Sequence, residues 1–107
     1  MKRFLFILLS FAFTLSVLAA EITGKVIDFG TKQPIDFANV SVLKSIDGVP
    51  VTGAVSDADG NFSIEVADGK YIVVVSFMGY TEQKKEVTVA GKPVNLGRIQ
   101  LREDALT

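Results

Sequence analysis

The chain has 107 residues, 49% of them hydrophobic, with 11 basic and 12 acidic side chains, a formal net charge of −1, and neither Cys nor His. That length allows one domain at most, and the missing residue types exclude His-based triads, thiol nucleophiles, disulfides and any metal site built from imidazole or thiolate. A near-neutral charge with no basic block leaves no footprint for nucleic acid, which is bound by clustered Lys and Arg.

Residues 1–20 read MKRFLFILLSFAFTLSVLAA. Two cations, an apolar run and a small-residue end follow the order of a secretory signal peptide. Ser10, Thr14 and Ser16 interrupt a run too short for a membrane span, which needs about 20 apolar residues. Cleavage is expected after Ala19 or Ala20. Removing Lys2 and Arg3 takes the balance to 9 basic against 12 acidic, a net charge of −3. The mature product is thus expected to be exported, not membrane-spanning, and dependent on its apolar core alone, since disulfides and the usual structural metals are excluded.

Beyond residue 20 the chain carries 13 Val against 4 Leu, together with all 9 Gly and all 3 Pro. β-Branched side chains suit a pleated surface better than a helix, and glycines between short apolar runs give the rhythm of an antiparallel sandwich or barrel. Seven strands are predicted. The first covers 22–27, and the second, 38–42, alternates small apolar with polar residues, giving one buried and one wet face. A third covers 51–55, and a fourth, 62–66, alternates in the same way. The fifth, 71–77, is apolar on both sides, as for a central strand covered on both faces. The sixth, 82–89, opens with the charged stretch EQKKE. In the last, 94–101, Val94 and Leu96 share one face while Ile99 and Leu101 take the other, so a bulge is expected at Gly97. The turns around Gly60 and Gly69 use Asp side chains and glycine, the one at 90–93 uses Gly91 and Pro93, and the one at 56–61 reads as a tight hairpin. Gly60, Gly69 and Gly79 are the expected structural turn positions.

Few residues offer chemistry. Asp57, Asp59 and Asn61 cluster oxygens as a calcium loop does, but Gly60 arrives two residues early for an EF-hand and no Glu closes the loop, so a turn is the preferred reading. Glu65, Glu82 and Glu86 are the carboxylates on strands, and all occupy polar positions of alternating runs, which reads as a solvated face rather than a glycosidase pair. Among the aromatics beyond residue 20, Phe29, Phe37 and Tyr80 are the ones free to face outward, and they are the candidate binding residues. For Tyr80, at the end of the central strand, a ring buried against the core with a wet hydroxyl is the competing reading. No catalytic residue, metal ligand set or cofactor is expected.

Five pieces in order carry a family resemblance: Gly24-Lys25-Val26-Ile27-Asp28, Pro34-Ile35-Asp36-Phe37-Ala38-Asn39-Val40, Ser56-Asp57-Ala58-Asp59-Gly60-Asn61-Phe62, Gly69-Lys70-Tyr71 and Ser76-Phe77-Met78-Gly79-Tyr80. Together they resemble the carboxypeptidase regulatory-like domain. The resemblance implies a transthyretin-like (prealbumin-type) Greek-key β-sandwich over residues 21–102, with 103–107 beginning a linker or tail. This version is similar to the domain at the N-terminus of Bacteroidetes-type TonB-dependent receptors and outer-membrane β-barrel proteins. It implies a non-catalytic periplasmic module, here a fragment or truncated form, that partners an outer-membrane β-barrel or another cell-envelope protein during nutrient uptake. Ser56 stands where the family usually has Thr and is expected to cap the turn. The competing reading is a free-standing secreted protein that binds carbohydrate or peptidoglycan.

Overall fold

The computed structural model describes residues 19–104. The expected leader, apart from Ala19 and Ala20, lies outside the described residues, as do residues 105–107. Eight strands follow in order: β1 (Ala19–Asp28), β2 (Asn39–Lys44), β3 (Pro50–Val55), β4 (Asn61–Ala67), β5 (Gly69–Ser76), β6 (Tyr80–Thr81), β7 (Gln83–Val89) and β8 (Val94–Glu103). They form two four-stranded sheets, ordered β4-β1-β8-β6 and β3-β2-β5-β7. Among the described residues there is no helix, and so none long and apolar enough to cross a membrane. The all-β sandwich expected from the sequence is observed, with one strand more. The extra strand, β6, is two residues long, too short to carry a period, and exists because Tyr80 and Thr81 pair with Glu103 and Arg102.

The core lies between the sheets and is built from the alternating positions of the strands. Ile22 and Val26 of β1, Val40 and Val42 of β2, Val73 and Val75 of β5, and Ile99 and Leu101 of β8 are all at most 1% exposed. Each such side chain contributes about 1.5–3 kcal/mol relative to exposure, and with no Cys in the chain the apolar layer carries the fold. Pairing begins at Ala19, opposite Ala67, and Ala20 is buried opposite Val66. The first strand therefore reaches back into the expected cleavage positions, and the last runs through Glu103, one residue into the expected tail.

Three expectations are corrected. Strand β5 lies between β2 and β7 and buries Tyr71, Val73 and Val75, but Ile72 and Val74 are only half-buried. A two-layer sandwich has one interior, so the outer face of even an inner strand stays open. The segment 56–61 is not a hairpin: β3 pairs with β2 in one sheet and β4 with β1 in the other. The turn chemistry is present, yet Asp-Gly geometry serves a corner between sheets as well as a hairpin. Of the connections among the described strands, β2–β3 alone joins neighbours of one sheet. The third correction concerns the phase of β8. A register shift against β1 falls where Asn95 and Arg98 face Thr23 and Lys25, and Gly97 there has φ of 73°. The bulge is where the sequence put it, but its effect is to restore phase: Val94 and Leu96 pack against the same core as Ile99 and Leu101.

Candidate functional site

At one end of the sandwich the loops after β1, before β2, after β3 and after β5 come together, and β8 leaves there. Asp28 closes β1 and organises this end. Its Oδ1 accepts the backbone N–H groups of Gly30 at 2.7 Å and Thr31 at 2.9 Å, and its Oδ2 accepts the Tyr80 hydroxyl at 2.6 Å. An oxyanion receiving three donors is stabilised in its charged form. The hydrogen bond from Tyr80, followed by those from the loop, holds the Asp28 carboxyl below its ordinary 3.8. The same bond pushes the Tyr80 hydroxyl up to about 12. Beside this pair, the Arg102 guanidinium lies 3.7 Å and the Lys32 ammonium 4.5 Å from the centre of the Phe29 ring, a cation–π arrangement. Lys32 also donates to Gln100 Oε1 at 3.1 Å. Two of the three sequence candidates, Phe29 and Tyr80, are thus gathered around Asp28. Neither is a free platform. Phe29 is 38% exposed beneath two cations, and Tyr80 is half-buried with its ring 5.8 Å from that of Phe77. The expected wet hydroxyl of Tyr80 is instead tied to Asp28.

Phe37 stands apart from that pair. It is 67% exposed, and its φ of 62° lies in the left-handed region that a bulky residue rarely adopts. What holds it is Ser56, the one buried polar residue among those described, at 1% exposure. The Ser56 hydroxyl donates to Ile35 O at 2.6 Å and accepts Ala38 N–H at 2.9 Å. Its backbone carbonyl accepts Phe37 N–H at 3.0 Å, and its N–H donates to Ala38 O at 3.0 Å. Four bonds from one residue pin the loop that displays Phe37. Ser56 therefore clamps the neighbouring 35–38 loop rather than capping its own turn as expected. Exposed Met78 and Val55 border the same end, since Asn39 pairs with both Val55 and Ser76.

The 57–61 turn is closed internally. Asp57 Oδ1 accepts the N–H groups of Asp59 and Asn61, each at 2.9 Å, so that one oxygen of the Asp57, Asp59 and Asn61 cluster is committed to the backbone. Among the described residues no group of three or more acidic side chains is placed to hold a metal ion. Gly60, with φ of 81°, lies so near β1 that an added Cβ would sit 2.5 Å from Val26 O. Gly79 also has positive φ, but open space surrounds it.

The sequence reading missed a groove of about 530 Å³ on the outer face of the β4-β1-β8-β6 sheet, lined in part by Thr23, Lys25, Asn61, Ser63, Asn95 and Arg98. The signal was present in the outward positions of β1 and β4, T-x-K and N-x-S, and in the bulge at Gly97. What the sequence lacked was the parallel pairing of β1 with β8, which brings Asn95 and Arg98 alongside Thr23 and Lys25.

The family model of the CarboxypepD_reg-like domain matches residues 22–107. The chain belongs to this family. A curated relative, the TonB-dependent receptor SusC of Bacteroides thetaiotaomicron, is 34% identical over 92 residues, covering 85% of this chain and 8% of the receptor. The chain thus spans less than a tenth of the relative it matches. Among solved structures, the Bacillus anthracis TIE protein superposes with a TM-score of 0.68 at 15% identity, over 80% of this chain and 17% of that one. Catechol 1,2-dioxygenase from Pseudomonas arvilla gives 0.66 at 9% identity, over 87% and 55%. The Klebsiella pneumoniae 5-hydroxyisourate hydrolase gives 0.61 at 14% identity, over 80% and 92%. At such identities these structures share the sandwich, and enzymes among them carry no activity to this CarboxypepD_reg-like domain.

Proposed function

We propose that the chain is a non-catalytic periplasmic module of a TonB-dependent receptor-like protein of the outer membrane, serving protein interaction or receptor assembly during nutrient uptake. The observation that carries this reading is the 34% identity to a TonB-dependent receptor across 85% of the chain. The chemistry is consistent with it. The side chains with shifted titration, Asp28 and Tyr80, satisfy each other and hold a loop in place, which is a structural task. The leader-like residues 1–20 support export.

The end of the sandwich that carries Phe37 is the contact end in this reading. An aromatic residue that is 67% exposed and held at φ of 62° costs about 1–3 kcal/mol of local strain. Ser56 holds that loop with four hydrogen bonds, so the Phe37 ring is presented in one direction. Phe29 and Tyr80 contribute by fixing the adjoining 28–34 loop.

The test is fractionation of the chain, tagged at its C-terminus, in a host with an outer membrane. The tagged protein is expected in the periplasmic and outer-membrane fractions, shortened at its N-terminus and cross-linkable to a β-barrel protein. Retention in the cytoplasm at full length would contradict the proposal. The polar groove favours a second reading, a free-standing exported protein that binds carbohydrate or peptidoglycan; its mark in the same test is a soluble periplasmic protein with no barrel cross-link.

A further inference from the structure

The groove on the outer face of the first sheet is ordered. Strand register sets its residues in rows across the sheet. Asn61 pairs with Lys25, and Lys25 with Arg98, so one row carries two cations side by side. The next row, two residues along, holds Ser63, Thr23 and Asn95, all uncharged hydrogen-bonding groups. The third holds Glu65 opposite Glu21. Rows lie about 6–7 Å apart and neighbouring strands about 4.8 Å apart, so the face grades from cationic through neutral polar to acidic over the length of a small molecule.

Two features make the cationic row an incomplete structure. Like charges directly opposite each other in a sheet are destabilising, and among the described residues neither the Lys25 nor the Arg98 side chain has an ion-pair or hydrogen-bond partner. Asp57 borders the groove, but its Oδ1 is committed to its own turn. The bulge at Gly97 supplies the second feature. It inserts a residue into β8 between Asn95 and Arg98, and the Gly97 N–H binds Asn95 Oδ1 at 2.8 Å, which leaves the donor side of that carboxamide available. Gly97 has no atom within 4 Å of where its Cβ would lie, so its surroundings do not demand a glycine for lack of room. Its left-handed backbone builds the groove wall.

We infer that this groove is a binding site for a hydroxyl-rich small molecule bearing one oxyanion, of the sugar-acid class. The oxyanion lies between Lys25 and Arg98, whose guanidinium offers a planar fork for a carboxylate or phosphate. The hydroxyls face Thr23, Ser63 and Asn95, and a far hydroxyl donates to Glu21, whose Oε2 already accepts the Ser63 hydroxyl. The inference holds for a receptor module and for a free-standing protein alike, because it uses only the sheet face.

The test is a titration of the purified chain, followed by amide chemical shifts, with four probes at constant ionic strength: glucuronate, glucose 6-phosphate, glucose and inorganic phosphate. One or both sugar acids should move the amides of Thr23, Lys25, Asn95 and Gly97, and whichever binds more tightly identifies the oxyanion. Glucose and inorganic phosphate should bind at least about tenfold more weakly, and so should the sugar acids to the double variant Lys25→Gln/Arg98→Gln, as expected for losing charge-assisted hydrogen bonds. Arg98 is exposed and Lys25 half-buried, and a dispersed amide spectrum of the variant verifies its fold. The inference fails if neither sugar acid shifts these amides. It fails equally if inorganic phosphate matches them, which would mean charge alone, or if the folded double variant binds as well as the parent.

Discussion

The two ends of the sandwich are built differently. At the end where β1 starts, the side-chain bonds that close the loops are exposed: Asp47 accepts Val49 N–H within its own turn, Asp68 accepts Gly91 N–H from the neighbouring loop, and Gly48 and Gly91 take positive φ with no atom within 4 Å of an added Cβ. At the end where β8 leaves, buried Ser56 ties two loops, Asp28 gathers three donors, and Gly60 sits against the β1 backbone. Both ends expose apolar side chains, Ile46 and Val49 at the first, Phe37 and Met78 at the second. The difference lies in how firmly they are held. A side chain on a turn closed by exposed side-chain bonds, for which water competes, is held less firmly than one on a strained loop clamped by a buried hydroxyl.

Gly60→Val should separate the two ends most strongly. It combines unfavourable φ with a 2.5 Å approach to Val26 O, and should destabilise the domain by about 3 kcal/mol or more. Gly91→Ala, at a similar φ of 78° in open space, should cost only about 1 kcal/mol. Equal losses in denaturant midpoint would remove the distinction between the ends. Ser56→Ala comes next. It strips Ile35 O and Ala38 N of their buried partner, for an expected loss of about 1–3 kcal/mol. Ser56→Thr keeps the hydroxyl and should recover most of the lost denaturant midpoint. Gly24→Ala probes the core beneath the groove, because the new Cβ would lie 2.7 Å from the Phe62 ring. A loss of about 1–3 kcal/mol is expected from overpacking, and an unchanged midpoint would show that the ring yields freely.

The smallest effect is the most specific. Tyr80 is raised to about 12 from an ordinary 10, so its stabilisation is complete below pH 10 and is lost as pH climbs toward 12. Asp28 is shifted the other way: its contribution is present above 3.8 and disappears as pH falls through its depressed folded value. Tyr80→Phe should therefore flatten the fall in melting temperature above pH 10, and weaken the fall in acid. Identical pH profiles for the two proteins would show that the hydrogen bond to Asp28 contributes nothing.

Much of the fold was legible because it rests on alternation. The runs around Val40, Phe62 and Val73 state which side of each strand is buried, and the phase slip at Gly97 located the bulge. Pairing was not legible. The turn chemistry at Asp57–Gly60 is local, and nothing local says that β3 and β4 belong to different sheets, so a corner was read as a hairpin. The same gap hid the groove, whose rows exist only because the first and last strands lie side by side. Ser56 reads as a turn residue; its four bonds to the 35–38 loop depend on a spatial neighbour 18 to 21 positions away in sequence. Phe37 was selected as an outward aromatic, but its strained backbone and clamp, which make it a candidate for contact, come from the structure.

The claim that the clamped end makes the contact is tested most directly by site-specific photo-cross-linking of the exported chain, with the reactive residue placed at Phe37 in one sample and at Ile46, 89% exposed at the other end, in a second. The account predicts a cross-link from position 37 to an outer-membrane β-barrel protein and none from position 46. A barrel cross-link from position 46 with none from position 37 would contradict it.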